Sequence, residues 1–391
     1  MTEHATRREA LKYSGMIAAG GVLAGCTVSE SGDSTAGEGE YSVSMVPVGE
    51  LSFEEVPSDV MVYSLLYADM AVAYGHGDAV NSLGFDAASG GNTLSAYYDR
   101  LDGVSFEQDD LTQLNTGSGN ISVDEELFYE LDSDLHLVDP CLVRSFDGWD
   151  ESDITEIREN IAPWFGNVYS RSHSEPPDGC RQAYEYYTLW EIAERVATVF
   201  RASDRYEELA SIRQEMVRQI ESERPPESER PTVGAVIFMN DTFYPSRIDT
   251  PGFSNAHVRP LGAEDAFAGD DVTYESSYDY ETMLEIDPDV ILHQYGIASY
   301  YDVGSITEQL AEHPVASELS AVENGRVYPS AHPVQGPLMN LFQLEMTAKQ
   351  LYPEQFGEWP GYTHGEPYPE MPEGERLFDR DRVAEIVAGE I

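Results

Sequence analysis

Asp204-Arg-Tyr-Glu-Glu-Leu-Ala-Ser-Ile-Arg-Gln-Glu-Met-Val-Arg-Gln-Ile-Glu-Ser-Glu223 is the stretch whose reading decides the architecture. Leu209, Ile212, Met216 and Ile220 recur at spacings of three and four, so they line one face of a helix ringed by Glu, Arg and Gln. Asp204 and Glu207 read as a capping box, and Arg224-Pro225-Pro226 as the stop. At 1.5 Å per residue the rod spans roughly 30 Å, about the diameter of a small domain. It is either a surface helix of one domain or the link between two.

The flanking sequence favours the link. Glu126 to Leu137, ELFYELDSDLHL, lies over Glu281 to Leu292, ETMLEIDPDVIL, at an offset of 155 residues. Each copy combines a short helical segment, an Asp-x-Asp turn and an apolar run suited to a buried parallel strand. The expectation is an α/β protein with two Rossmann-like lobes, residues 50–203 and 224–391, joined by one long backbone helix at 204–223.

Of 391 residues, 72 are acidic and 22 basic, a formal net charge of -50, while 41% are hydrophobic. Two domains with real cores are therefore affordable, and the acidity belongs to solvated surface. Only Lys12 and Lys349 are lysines. The balance suits very high salt, where the Debye length shrinks to about 3 Å at 1 M. No basic stripe is available to neutralise phosphates, which argues against nucleic acid as a partner.

Residues 1–25 read as an address. Arg7-Arg8 precedes the apolar run MIAAGGVLAG, too short to anchor in a bilayer, which ends in Leu23-Ala24-Gly25-Cys26. This resembles a twin-arginine secretion signal with a lipobox, which implies Cys26 as the site of lipid attachment. Residues 26–49, rich in Ser, Gly, Glu and Thr, read as a flexible tether.

Strand-like runs at Val60 to Tyr63, Val80 to Phe85, Leu135 to Val138, Val233 to Phe238 and Arg326 to Tyr328 alternate with helical segments, the pattern of parallel sheets. Ligands in such sheets sit at the carboxyl ends of strands. The loops there contain Tyr67, Arg144, Trp149, Tyr244, Arg247, Arg259, Tyr295, Tyr300, Tyr301 and His332. Tyrosines offer rigid apolar area and guanidinium a bidentate fork, so these residues suit a bulky ligand with negative or carbonyl oxygens.

The sequence contains no G-x-S-x-G, H-E-x-x-H or P-loop, and no G-x-G-x-x-G between strand and helix, so no catalytic residue and no cofactor is assigned. His257, His293 and His332 are the histidines from which a direct metal site would have to be built. Once Cys26 is given to lipid, Cys141 and Cys180 remain for a disulfide or as free thiols.

With rod, repeat and lipobox in hand, the chain resembles the substrate-binding lipoproteins of ABC importers for iron-siderophore or cobalamin-type ligands, in a form like those of salt-adapted archaea. The resemblance covers about residues 46–391 and is carried by Glu126 to Val138, Glu281 to His293 and Gly325-Arg-Val-Tyr-Pro-Ser330. It implies a monomer held by lipid on the outer face of the membrane and a ferric siderophore as cargo, with cobalamin or haem as alternatives. It also implies that Glu126 and Glu281, each eight residues before the Asp that opens a strand, dock onto the permease. A cell-surface enzyme on the same fold is the rival class.

Overall fold

The computed structural model describes residues 39–85, 93–115, 121–273 and 275–390. Residues 1–38, with Cys26, lie outside them, as do Gly90 and Gly91.

The first lobe opens with β1 (Tyr41–Met45) and β2 (Gly49–Phe53), then β3 (Val60–Val62), α1 (Leu65–Ala73), β4 (Ser82–Leu83), α2 (Thr93–Tyr98), β5 (Thr112–Gln113), α3 (Glu125–Leu131) and β6 (Leu135–Leu137). It continues through α4 (Pro140–Val143), α5 (Glu151–Asn160) and α6 (Leu189–Val199). Helix α7 (Ser203–Glu223) then leads to β7 (Thr232–Met239), β8 (Thr242–Ser246), β9 (Glu264–Asp265), α8 (Tyr280–Ile286), β10 (Val290–His293) and α9 (Val303–Glu312). The chain ends with α10 (Ser320–Glu323), β11 (Val327–Pro329), α11 (Pro337–Leu351), α12 (Pro353–Phe356) and α13 (Arg380–Ala388).

In the first lobe β3 pairs parallel with β6, and β4 with β5. The two pairs join through the Val60–Val80 bridge and through Ser82, whose Oγ accepts from the Val62 N–H at 3.1 Å and donates to the Val62 carbonyl at 3.2 Å. Trp164 extends the far edge by one bridge to His136. The second sheet runs β11-β10-β7-β8, with β9 beside the start of β7. Only β8 is antiparallel in it.

The repeat holds in detail. Asp124 and Asp279 cap α3 and α8, Glu126 and Glu281 occupy the second helical position, and Asp132 and Asp287 end the helices in the left-handed region. The next aspartates fasten the loops before the neighbouring strands: Asp134 accepts from the N–H of Ser58 and Asp59, Asp289 from the N–H and Oγ1 of Thr232.

Helix α7 carries the chain from one lobe to the other. Its buried face is Leu209, Ala210, Met216 and Ile220, each of the larger side chains contributing about 1.5–3 kcal/mol by leaving water. The expected Asp204 capping box is absent, because the helix starts one residue earlier at Ser203 behind an uncapped Ala202. Arg205, near its start, donates to the Tyr74 carbonyl of the first lobe, and Arg224, at its end, to the Pro260 carbonyl of the second.

Every residue of α11 is buried, polar ones included. Asp69 of α1 accepts the Leu338 N–H at its start, and Gln350 near its end donates to the Pro329 carbonyl at 2.7 Å. Its other polar side chains are also engaged: Asn340 donates to Gln335, Gln343 to Tyr97 Oη, and Glu345 meets Arg380. A hydrophobic core runs continuously from Val43 and Leu66 to Leu261 and Leu292, with the apolar residues of α11 inside it.

Two expected boundaries differ. The Ser and Gly content of residues 41–49 suggests part of the tether, yet β1 and β2 form a hairpin, because Val43 and Met45 alternate with serines and bury one face. The chain after Leu351 does not stay with the second sheet. Tyr368 donates its N–H to the Ala96 carbonyl and meets Phe342 edge-on, and α13 packs on α7 with Arg382 paired to Glu208 at 2.8 Å. Apolar Phe378, Val383 and Ile386 draw it onto the shared core. No described helix is long and apolar enough to cross a membrane.

Candidate functional site

Four strand ends of the first lobe and two of the second converge on a cleft of about 460 Å³. That size falls in the range of small-molecule sites. Tyr63 follows β3, Phe85 follows β4, Leu142 lies on α4 after β6, and Tyr169 and Arg171 follow the Trp164 bridge. From the second lobe come Tyr295 and Tyr300 after β10, and His332 and Val334 after β11. Among the described residues no Asp or Glu lines the cleft, although the chain holds 72 of them, and Arg171 is the one formally charged residue there.

The first-lobe wall depends on the irregular segment 166–187, which is pinned at three places. Asp139 accepts from the Val168 N–H at 2.8 Å and from Tyr184 Oη at 2.5 Å. Cys141 and Cys180 form a disulfide. Tyr67 Oη accepts from the Asn167 N–H at 2.6 Å, while the Asn167 side chain donates to the Val46 and Glu185 carbonyls. Burial pushes the Asp139 carboxyl up to about 6 against these hydrogen bonds. Arg171, so placed, makes no side-chain hydrogen bond and no ion pair with a described residue.

The second-lobe wall carries backbone strain. Tyr295 sits at φ 62, a region a bulky side chain seldom adopts. Its N–H donates to the Ala331 carbonyl, and that of Gly296 to Ser330. A Cβ on Gly296 would lie 2.4 Å from Pro329 Cα, so only glycine lets the two loops clip together. The Tyr295 ring thereby meets His332 edge-on at 4.7 Å.

Burial lowers the His332 pKa to about 4, with Arg171 acting in the same direction against the hydrogen bond to Val334, so its imidazole is neutral at pH 7. Burial likewise raises the phenols of Tyr63, Tyr169 and Tyr300, which stay protonated as neutral donors. Tyr63 Oη has no partner among the described residues, although its ring packs on Phe85 and Phe146. Among the described residues the cleft thus presents five tyrosine and phenylalanine rings, a guanidinium with no ion pair and an unengaged phenol.

Of the residues selected by the strand-end rule, the structure brings Tyr295, Tyr300 and His332 together here. The others lie elsewhere, for physical reasons. Tyr67 points into the core from α1 and positions Asn167. Arg144 donates to the Asp178 carbonyl at 3.1 Å and lies against Cys180, bracing the disulfide. Trp149 packs on Phe128 and donates to the Val123 carbonyl. Tyr244 belongs to β8, because Asn240 and Asp241 at φ 51 and 59 turn β7 straight back into a hairpin where a long loop is expected. Arg247 is clamped by Asp249 at 2.6 and 2.9 Å. Arg259 donates to the Thr250 and Gly252 carbonyls. Tyr301 Oη donates to the Phe238 carbonyl and meets His293 Nδ1 at 3.1 Å.

Residues missed by the rule are Tyr63, Phe85, Tyr169 and Arg171. Tyr63 and Phe85 end strand-like runs, so their position is legible; Tyr169 and Arg171 sit in a segment without periodicity. His257, His293 and His332 do not converge, each nitrogen contact being to a different group, and no three His, Cys, Asp or Glu of the described residues gather as metal ligands.

Solved structures similar to this one include the iron uptake ABC transporter substrate-binding protein PiuA from Streptococcus pneumoniae, 16% identical, covering 78% of this chain and 96% of that one with a TM-score of 0.54. The petrobactin-binding protein YclQ from Bacillus subtilis is 17% identical over 80% of this chain and 99% of its own, TM-score 0.54. An ABC-type Fe3+-hydroxamate transport system protein from Saccharomonospora viridis is 18% identical over 79% and 98%, TM-score 0.51. At these identities the likeness is one of fold: two α/β lobes on a backbone helix. No curated protein matches the sequence. Residues 135–330, from β6 through β11, match the family model for periplasmic binding proteins. That match spans half of the sequence, and this chain belongs to the periplasmic binding protein family.

Proposed function

We propose that this protein is the substrate-binding component of an ABC importer and that its cargo is a ferric siderophore held between the lobes. One observation carries the cargo assignment: in a chain of net charge -50, the described residues give the interlobe cleft aromatic walls, Arg171 and no carboxylate. A ferric chelate of the catecholate type presents flat apolar faces and a negatively charged oxygen rim. Ring faces pack against the former, while a guanidinium and phenol donors meet the latter. The iron travels inside its chelator, so the protein's task is to grip the chelator's surface.

Glu126 and Glu281 support the delivery half of the proposal. Both are exposed, on the second residue of equivalent helices, one per lobe. They form a matched pair of charges for arginines on a permease. We further place the protein as a monomer on the outer face of the membrane, exported by the twin-arginine route and held through lipid on Cys26. Cys26→Ser should then release it into the medium.

The direct test is a fluorescence and absorbance titration of the mature protein with a ferric tris-catecholate, a ferric hydroxamate, cyanocobalamin and haemin. Saturable binding of a ferric chelate alone supports the proposal. Saturable binding of cobalamin or haem with none of either chelate overturns the cargo assignment while leaving the binding-protein reading in place.

A further inference from the structure

A second cavity, of about 570 Å³, lies behind the cleft between the start of α6, the middle of α7 and the second-lobe turn 249–260. It and the cleft share a wall. Gly252 stands at φ 114, and a Cβ there would come within 2.3 Å of the Arg171 carbonyl oxygen, so the two turns pack backbone to backbone. Arg171 serves the cleft, whereas His173, two residues on, lines the cavity.

Two arginines line this space, Arg213 from the interlobe helix α7 and Arg259 from the second-lobe turn. Neither has a carboxylate within 4.0 Å among the described residues, in a chain where acidic side chains outnumber basic ones 72 to 22. Arg213 makes no hydrogen bond with a described residue: its Nε is buried without a partner and its guanidinium stands 5.7 Å from the Trp190 ring. Arg259 spends one nitrogen, Nη2, on two carbonyls and leaves the rest of its five donors unspent. Burial pushes both guanidinium groups below their ordinary pKa, and Arg259 adds to the effect on Arg213.

Two carboxylates line the same cavity, and neither neutralises the pair. Asp249 has both oxygens committed to Arg247. Glu221 is exposed, two turns further along α7, and acts on Arg213 only through space, its charge opposing the effects of burial and Arg259 without forming an ion pair. Arg213 is half-buried and Arg259 exposed, and two like charges that face one cavity with open donors are joined favourably by an anion. The rest of the wall is apolar, with Leu189, Trp190, Val217 and Phe253.

We infer that this cavity is a second binding site, taking a small organic carboxylate whose head bridges Arg213 and Arg259 and whose apolar body rests on Trp190 and Phe253. The assignment is independent of what the cleft carries.

Isothermal titration of the mature chain with benzoate, with benzyl alcohol as its neutral counterpart and with inorganic phosphate, tests it. Benzoate should bind at least tenfold more tightly than either of the other two. Arg213→Gln and Val217→Glu, both on the partly exposed face of α7, should each weaken benzoate tenfold or more with an unchanged circular dichroism spectrum. Tyr295→Ala, which alters the cleft and not the second cavity, should leave it unaltered. Absence of benzoate binding, equal binding of benzyl alcohol, insensitivity to both α7 substitutions, or loss in Tyr295→Ala would each overturn the site. Phosphate binding as tight as benzoate would overturn the apolar-body half of the assignment.

Discussion

Asp69 accepts the backbone N–H of Leu338 at 2.9 Å, fixing the start of the buried helix α11 to the first lobe across 269 positions of sequence. The same carboxylate accepts from Tyr98 Oη at 2.6 Å. Together with Gln350 at the other end, this makes α11 a second strut beside α7.

Asp69→Ala leaves a buried N–H and a buried phenol without partners, at about 1–3 kcal/mol each, and should lower the urea midpoint accordingly. The pH dependence has a definite sign. Burial raises the Asp69 pKa to about 7 from 3.8, so between pH 4 and 7 the folded chain holds a proton that the unfolded chain has lost. Stability should therefore fall as pH rises through that window, by an amount on the order of 4 kcal/mol from this residue. Asp139 contributes the same sign up to about pH 6. Asp69→Asn should flatten the decline above pH 6; an unchanged slope in urea titrations at pH 5 to 8 would remove Asp69 as its source.

The Cys141–Cys180 disulfide closes a loop of 39 residues. Replacing both cysteines by serine should cost about 4 kcal/mol by loop entropy. Because the bridge pins the segment carrying Tyr169 and Arg171, ligand affinity should fall as well, at temperatures where the variant is still folded. A variant that melts lower but binds undiminished would show that Asp139 and Tyr67 suffice to hold the segment.

In the cleft, Arg171→Gln and Tyr295→Ala should each weaken a ferric tris-catecholate about tenfold, equivalent to about 1.4 kcal/mol. Arg144→Gln and Arg247→Gln should change affinity by less than about twofold, since those guanidinium groups are occupied by Asp178 and Asp249. Tyrosine fluorescence quenching reads all four; the reverse ranking would relocate the site.

Glu126→Gln with Glu281→Gln should leave cargo affinity as it is and reduce uptake at least tenfold in proteoliposomes holding the cognate permease. Full uptake by the double variant would show that docking uses other surfaces. Both side chains are exposed, so the stability of the fold is not at stake.

The rod was legible because its apolar residues repeat with the period of a helix, and the lobes because the 124–134 and 279–289 segments place the same cap, turn and strand-opening aspartates in both. Hairpin β7–β8 and hairpin β1–β2 carried local signals of their own, the Asn240-Asp241 turn and the alternation Val43, Met45. These are near-neighbour regularities, written in spacing.

Periodicity, charge and the doubled motif were enough for the sequence alone to determine two α/β lobes on a helical backbone and a surface that is overwhelmingly acidic. Which side chains meet was decided only in three dimensions. The ends of strands name the rim, but how far each loop reaches depends on what it packs against: Tyr67 turns inward to hold Asn167, while Arg171 reaches the cleft with no ion pair among the described residues. An arginine's role depends on its partners, and those of Arg144, Arg247 and Arg259 are carbonyls and carboxylates brought to them by folding.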